Sequence, residues 1–409
     1  MAPAQPPKTQ PDALRIAINA WFIDQPTTGS GQYLVHLLSE YAQQHSQHRY
    51  LLCTHPHHPA PQALLQSSPA FEWQVLATPF DGLHHHLAKL WFEQITFPRA
   101  CKRWGASLAH VPYWASPLRI AAPTVVTIHD LIPLLLPAYR GGTLGRLYTR
   151  LVARSARNAE LVLTDSVASR RDIVQHLGLP RDRVRAIHLA ADDRFHNELD
   201  TRTLSRVRAQ YDLPERYLLY LGGFDVRKNV PAILRAYAQL EEESVHLVIA
   251  GKLRSQDTAF FPDPKRLAGE LDLLDRVHFT GWVEEEDKPA LYAGAVAMLF
   301  PSHYEGFGLP PLEAMSCGTP VIVSDRSSLP EIVGEGGLCV DPDRIDQLAG
   351  TMAQLVEDPS LRQQKREAAL ERAASFSWSR CAQETMAAYK LACPQTDFTV
   401  QYPHSTGPT

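Results

Sequence analysis

Residues 303–320 read HYEGFGLPPLEAMSCGTP and set Glu305 and Glu313 eight positions apart across Gly306, Gly308 and the pair Pro310 and Pro311. The apolar run VAMLF (296–300) leads in and PVIVSD (320–325) leads out, so the stretch reads as strand, glycine turn, helix, strand. Proline suits the first turn of a helix, where its missing amide would be unpaired anyway. The amides of Phe307, Gly308 and Leu309 at such a helix start could cradle an anion such as a diphosphate. Glu305 would precede the helix and Glu313 lie in its first turns, so two carboxylates could serve different parts of one elongated ligand. The plainer alternative makes Glu313 a charge favoured by the helix dipole and Glu305 a surface residue.

Outward from this stretch the same logic recurs with opposite charge. LGGFDVRKN (221–229) also leaves an apolar run; Gly222 and Gly223 permit close backbone approach, and Arg227 and Lys228 can meet a phosphate. A diphosphate would then have amides on one side and two cations on the other. In TVVTIHDLIPLLLP (124–137), His129 and Asp130 stand just past a strand. His129 could donate to a sugar or a leaving phosphate, with Asp130 orienting the ring or serving an acceptor; a purely structural histidine is the alternative. DQPTTGSGQY (24–33) places Gly29 and Gly31 in a loop before a helix. It lacks the spacing of a dinucleotide fingerprint and either lets a ligand approach the backbone or simply turns the chain.

Short apolar runs alternate with helical patterns from LRIAINA (14–20) onward and begin again at YLLYLGG (217–223). That alternation predicts two α/β domains with mostly parallel sheets, a boundary near residues 200–214, and ligands held at the carboxyl ends of the strands. The 409-residue length agrees with two cores. With 40 Lys and Arg against 44 Asp and Glu, charge gives no pull toward nucleic acid. Six scattered cysteines without a CxxC pair point to reduced thiols in the cytoplasm. No run approaches the roughly 18 to 20 apolar residues of a membrane span. His84, His85 and His86 cannot share one helix face, which argues against a metal site there. The nearby Arg99, Lys102, Arg103 and Trp104 could rest on anionic lipid, although helix packing explains them more simply.

Taken together, RIAINA, TIHDLIPLLLP, YLGGFDVRKN, VHFTGWV, the E-x7-E element from Glu305 to Glu313 and GGLCVDP resemble the retaining nucleotide-sugar glycosyltransferases of family 4. The resemblance implies an α/β architecture of the GT-B type, two facing Rossmann-like domains with an interdomain cleft. It maps residues 14–205 to an acceptor-side domain, 206–377 to a nucleotide-sugar-binding domain and 378–391 to a helix crossing back to the first domain, while the proline-rich residues 1–13 read as a flexible segment and the turn-rich residues 392–409 as a polar tail. It further implies that Glu305 contacts the transferred sugar, Glu313 the ribose, and Phe307, Gly308 and Leu309 the sugar and diphosphate through their backbone. Lys228 with Arg227 would stabilise the leaving group, His129 would approach the donor sugar, and Gly29 with Gly31 would lie near the phosphates. Many relatives carry an arginine where this chain has Gly222.

The spelling is closest to the bacterial mannosyltransferase-like subgroup of O-antigen and exopolysaccharide assembly. It implies GDP-mannose as donor, with UDP-glucose, UDP-N-acetylglucosamine and dTDP-rhamnose as alternatives. The acceptor would be a saccharide or lipid-linked saccharide, met in the cytoplasm or at the inner face of its membrane. No cofactor and no metal are expected, because the DPD at 341–343 reads as a turn. A glycoside phosphorylase of the same architecture and a nonenzymatic sugar-nucleotide binding protein are the readings from other classes.

Overall fold

The computed structural model describes residues 13–25, 28–45, 47–58, 60–254 and 256–393. The expected flexible start and polar tail lie outside these, save residues 13, 392 and 393. The first sheet has seven strands: β1 (Arg15–Asn19), β2 (Arg49–Thr54), β3 (Phe71–Val75), β4 (Leu108–Val111), β5 (Thr124–Thr127), β6 (Leu161–Thr164) and β7 (Val184–Ala186). Its order is β3-β2-β1-β4-β5-β6-β7, every pair parallel. The second has six: β8 (Tyr217–Leu221), β9 (His246–Ala250), β10 (Val277–Gly281), β11 (Ala297–Phe300), β12 (Val321–Ser324) and β13 (Gly337–Val340), ordered β10-β9-β8-β11-β12-β13, again all parallel.

Parallel sheets are covered by helices on both faces, so their central strands are apolar along their whole length rather than alternating. YLLYL of β8 and AMLF of β11 are buried at every residue. The edge strands depart from this: β10, VHFTG, is buried only at Val277, and β3, FEWQV, only at Phe71. The mixed pattern of β3 carries no continuous apolar signal, and this strand was not expected from the sequence.

Each sheet grows outward in both directions from its first strand. The direction reverses between β1 and β4 and between β8 and β11, and the carboxyl ends of such neighbours open into a crevice where ligands bind. Two Rossmann-like domains with a cleft between them, the GT-B arrangement, are thus in place. The second domain sends its β8 end (Gly222–Lys228) and its β11 end (Pro301–Gly308) into one crevice.

Three local features refine the expected layout. Gly29 and Gly31 are not in a loop: the helix Gly29–Gln44 begins at Gly29, capped by Thr28, whose Oγ accepts from the Gly31 amide at 3.2 Å. A β-carbon at Gly31 would lie 2.0 Å from the Gln25 carbonyl oxygen, so the approach of the preceding loop demands glycine. The helix Thr201–Gln210 packs on the second domain, where Asp287 accepts from Arg206, Gln210 and the hydroxyl of Tyr211. The last helix, Trp378–Ala392, lies against Gly29–Gln44 of the first domain. Its buried Tyr389 hydroxyl meets His110 Nδ1 at 2.7 Å.

Candidate active site

At the end of β8 the chain turns through Gly222 and Gly223 into a short 3-10 turn, Val226–Lys228, closed by Asn229 at φ 56. Asparagine tolerates that left-handed conformation, and its side-chain amide donates to the Pro342 carbonyl at 2.8 Å. The turn aims Arg227 and Lys228 at the end of β11. There Glu305 Oε2 lies 2.6 Å from Arg227 Nη1 and Oε1 lies 2.8 Å from Lys228 Nζ. Arg227 Nη1 also donates to the Tyr304 carbonyl, and Lys228 Nζ sits 4.6 Å from the centre of the Phe300 ring.

These charges are little exposed, between 11 and 13% by side chain, so each state of charge depends on its neighbours. Burial alone would raise the Glu305 carboxyl, but Lys228 and then Arg227 outweigh it and hold the carboxyl below its usual range. Burial pulls the Lys228 ammonium below its ordinary value, and Arg227 adds to that against the pull of Glu305. Lys228 is therefore the cation whose charge the site holds least firmly.

The turn after Glu305 is pinned from below. Ser328 Oγ donates to the carbonyls of Glu305 and Phe307 at 3.0 and 2.6 Å, and the Glu305 amide donates to Ser327 Oγ. Gly308 stands at φ +119, and a β-carbon there would lie 2.9 Å from Leu329. The helix Leu309–Ser316 starts at this point with prolines at its second and third positions. Among the described residues the amides of Phe307, Gly308 and Leu309 donate to no protein group, which suits them to an anion. Glu313, 6% exposed, follows on the same helix and accepts from the Tyr292 hydroxyl at 2.9 Å. Burial pushes its pKa up to about 6.

The first domain reaches the same turn from the other side. His129 and Asp130 follow β5, and a β-carbon on Gly306 would lie 2.6 Å from the His129 carbonyl oxygen and 3.0 Å from Asp130 Cβ. Ser166 and Ser169, at the start of the helix Val167–Leu177, donate to the Gly306 carbonyl at 2.7 and 3.1 Å. Both ring nitrogens of His129 are engaged, Nδ1 with Asp165 at 2.8 Å and Nε2 with the Pro112 carbonyl at 3.2 Å. Burial opposes charge on this ring, but Asp165 and then Asp130 overcome it and hold the imidazole above its ordinary value. Asp130 accepts from the Ile132 amide, and burial, with Glu305 adding to it, raises its carboxyl.

Beside Glu313 the two domains enclose a cavity of about 190 Å³, bordered by Gln32 and His36 of the Gly29–Gln44 helix, by Asp192 and Arg194, and by Leu309. Gly29 and Gly31 occupy the first turn of that helix rather than the cavity wall. Asp165, Asp225, whose Oδ1 lies 3.5 Å from Arg227 Nε, Ser166 and Glu331 join the site without having been expected from the sequence. The first two stand just past strand ends, which was the available signal; the other two become meaningful only once the domains meet.

Residues 202–372 match the family described as glycosyl transferases group 1, and residues 28–190 match the glycosyl transferase 4-like domain. The O-antigen chain mannosyltransferase B of Escherichia coli is 35% identical over 286 residues, 69% of this chain and 74% of that protein. The chain belongs to the group 1 glycosyltransferases. Among solved structures, sucrose-phosphate synthase from Thermosynechococcus elongatus superposes on this transferase with a TM-score of 0.72 at 23% identity, over 92% of this chain and 98% of that one. The Anabaena protein HepE in complex with UDP-glucose superposes with a TM-score of 0.68 at 20% identity, over 92% of this chain and 100% of that one. At such identities the likeness is one of fold.

Among the described residues of the transferase no group of three or more His, Cys, Asp or Glu is placed to hold a metal ion. Arg326 bridges Asp341 and Asp343 at 2.9 and 2.5 Å, so the DPD segment is closed on a guanidinium. No described helix is long and apolar enough to cross a membrane.

Proposed function

We propose that the transferase moves a hexosyl group with retention at the anomeric carbon, from a nucleoside-diphosphate sugar to a saccharide or lipid-linked saccharide of a cell-surface polysaccharide. The observation that carries this reading is the meeting of Glu305 with Lys228 and Arg227 just ahead, in the chain, of the undonated amides of residues 307–309. A diphosphate placed there takes over the two cations, freeing the Glu305 carboxylate for the hydroxyls of the sugar. As the anomeric bond breaks, negative charge grows on the leaving phosphate, and preorganised cations and amides stabilise it there. Glu313 serves the ribose. His129, held by Asp165, presents its end of β5 to the sugar, and its proton on Nε2 reaches a substrate only by leaving the Pro112 carbonyl. The leaving phosphate takes the acceptor proton in a front-face attack, with no metal in the reaction.

Mannose from GDP-mannose is the donor we favour, supported by the Escherichia coli mannosyltransferase at 35% identity. The UDP-glucose bound by HepE supports the second reading, a UDP-sugar donor. A panel of GDP-mannose, UDP-sugars and dTDP-rhamnose, run with EDTA and with free phosphate in place of the acceptor, decides among donors, a metal requirement and phosphorolysis. Glu305→Gln and Lys228→Ala should each lower turnover at least about a hundredfold, the scale for losing one stabilising group at a developing oxyanion. Wild-type turnover in both variants sinks the assignment of these residues, and donor binding without acceptor-dependent nucleotide release sinks transfer itself.

A further inference from the structure

Glu331 belongs to the short helix Leu329–Val333 of the second domain, yet its carboxylate serves the first. Oε1 accepts from the Val167 amide at 2.8 Å and Oε2 from the Ala168 amide at 3.1 Å. His188 Nε2 lies 2.6 Å from Oε1. Val167 and Ala168 open the helix Val167–Leu177. The first amides of a helix have no partner inside it, and its dipole favours an anion at that end. The helix already has a cap of its own, Ser166, whose Oγ accepts from the Ser169 amide at 3.0 Å. It therefore carries two caps, one local and one supplied across the cleft.

The carboxylate is firmly placed. Arg372 donates to the carbonyls of Glu331 and Ile332 at 2.6 and 3.0 Å, which fixes the backbone that presents it. Burial alone would raise the carboxyl, but the bonds from His188, Val167 and Ala168 outweigh it and keep it ionised. The same helix receives a second segment of the second domain: Ser166 and Ser169 hold the Gly306 carbonyl, and the Tyr304 hydroxyl donates to Asp172 at 2.6 Å. Residues 304–306 and Glu331 thus dock on adjacent turns of one helix, and Glu305 lies between two of the docked residues.

We propose that Glu331 is a positioning residue, whose capping of the Val167–Leu177 helix from the opposite domain holds the cleft closed and seats Glu305 against the His129 end of β5. Its effect on turnover rests on the transferase reading above; its effect on the cleft does not.

The test uses the full chain with Glu331→Ala, Glu331→Gln and Val167→Pro. The proline removes one amide donor from the first helical position, where proline is accepted. Ser166 already has the extended backbone (φ −146, ψ 159) that a residue before proline requires. After unchanged circular dichroism shows that the variants fold, small-angle scattering and amide exchange at Ala168 report the cleft. Calorimetry with GDP and with UDP reports the nucleotide half-site. Expected are a larger radius of gyration and faster Ala168 exchange in all three variants. In Glu331→Ala, kcat should fall roughly tenfold while nucleotide affinity stays within about twofold, the scale of losing hydrogen bonds to a charged group. Val167→Pro should show a smaller fall in the same direction. Wild-type scattering and exchange in all variants overturn the proposal, and so does an opened cleft with undiminished kcat. If the wild type transfers no sugar at all, the transferase reading fails while scattering and exchange still decide whether Glu331 closes the cleft.

Discussion

Glu305, before the helix Leu309–Ser316, and Glu313, within it, respond to pH in opposite senses. Burial lifts the Glu313 pKa from 4.5 to about 6, so between those values the folded chain keeps a proton that the unfolded chain has released. Stability from this group accordingly falls as pH rises through that window, by roughly 2 kcal/mol. Glu305, held below its usual value by Lys228 and Arg227, contributes stability above the ordinary glutamate pKa that is lost as pH falls through its lowered folded one. Denaturant unfolding at pH 4.5, 5.5 and 6.5 should show the Glu313 slope in the wild type and not in Glu313→Gln. An identical pH dependence in both chains would show that Glu313 is not buried as described. The opposite-signed side chains at neighbouring strand ends were legible as residue types. Their pairing with one another was not, and neither was the clasp of Asp165 and Pro112 on His129, because partners 77, 36 and 17 positions apart leave no spacing to read.

Among the elements, the buried strands announced themselves as unbroken apolar runs, as parallel strands covered on both faces must. β3 escaped because an edge strand carries polar residues where its outer face meets water. The glycine turns were legible as turns, but what each glycine avoids was not. Gly306 avoids the backbone of the other domain, and its alanine variant would drive a methyl group to 2.6 Å from the His129 carbonyl oxygen. Neither the His129 carbonyl nor the Asp130 β-carbon can rotate out of the way, so the contact is relieved by separating the domains. Gly306→Ala is therefore expected to melt within a few degrees of wild type, expand in solution and lose most of its turnover, since a misplacement of about 1 Å can cost a hundredfold. Unchanged turnover with unchanged dimensions would contradict the closeness of this seam.

The whole molecule depends on a helix that begins in the second half of the chain and finishes the first. Trp378, Met386 and Tyr389 are buried, and Tyr41 and His110 are covered in the same seam. Ending the chain at residue 377 should lower the stability of the first domain by roughly 5 kcal/mol, at ~1.5–3 kcal/mol for each large side chain left without its burial. Scanning calorimetry would then show an early transition from that domain and little change in the second; a single unshifted transition would exclude this dependence. Two helices near the end of the chain were legible from their periodicity, but the domain that the last one covers was implied only by the family resemblance, because tertiary packing leaves no local signal.

That returning helix also dictates an order of events on the ribosome. The apolar groove of Gly29–Gln44 is translated early, and its cover emerges roughly 200 residues after β7, on the order of 10–40 s later at ordinary synthesis rates. Throughout that interval the seam bearing Tyr41 has no cover, and the first domain acquires its finished form only once the helix Trp378–Ala392 has emerged.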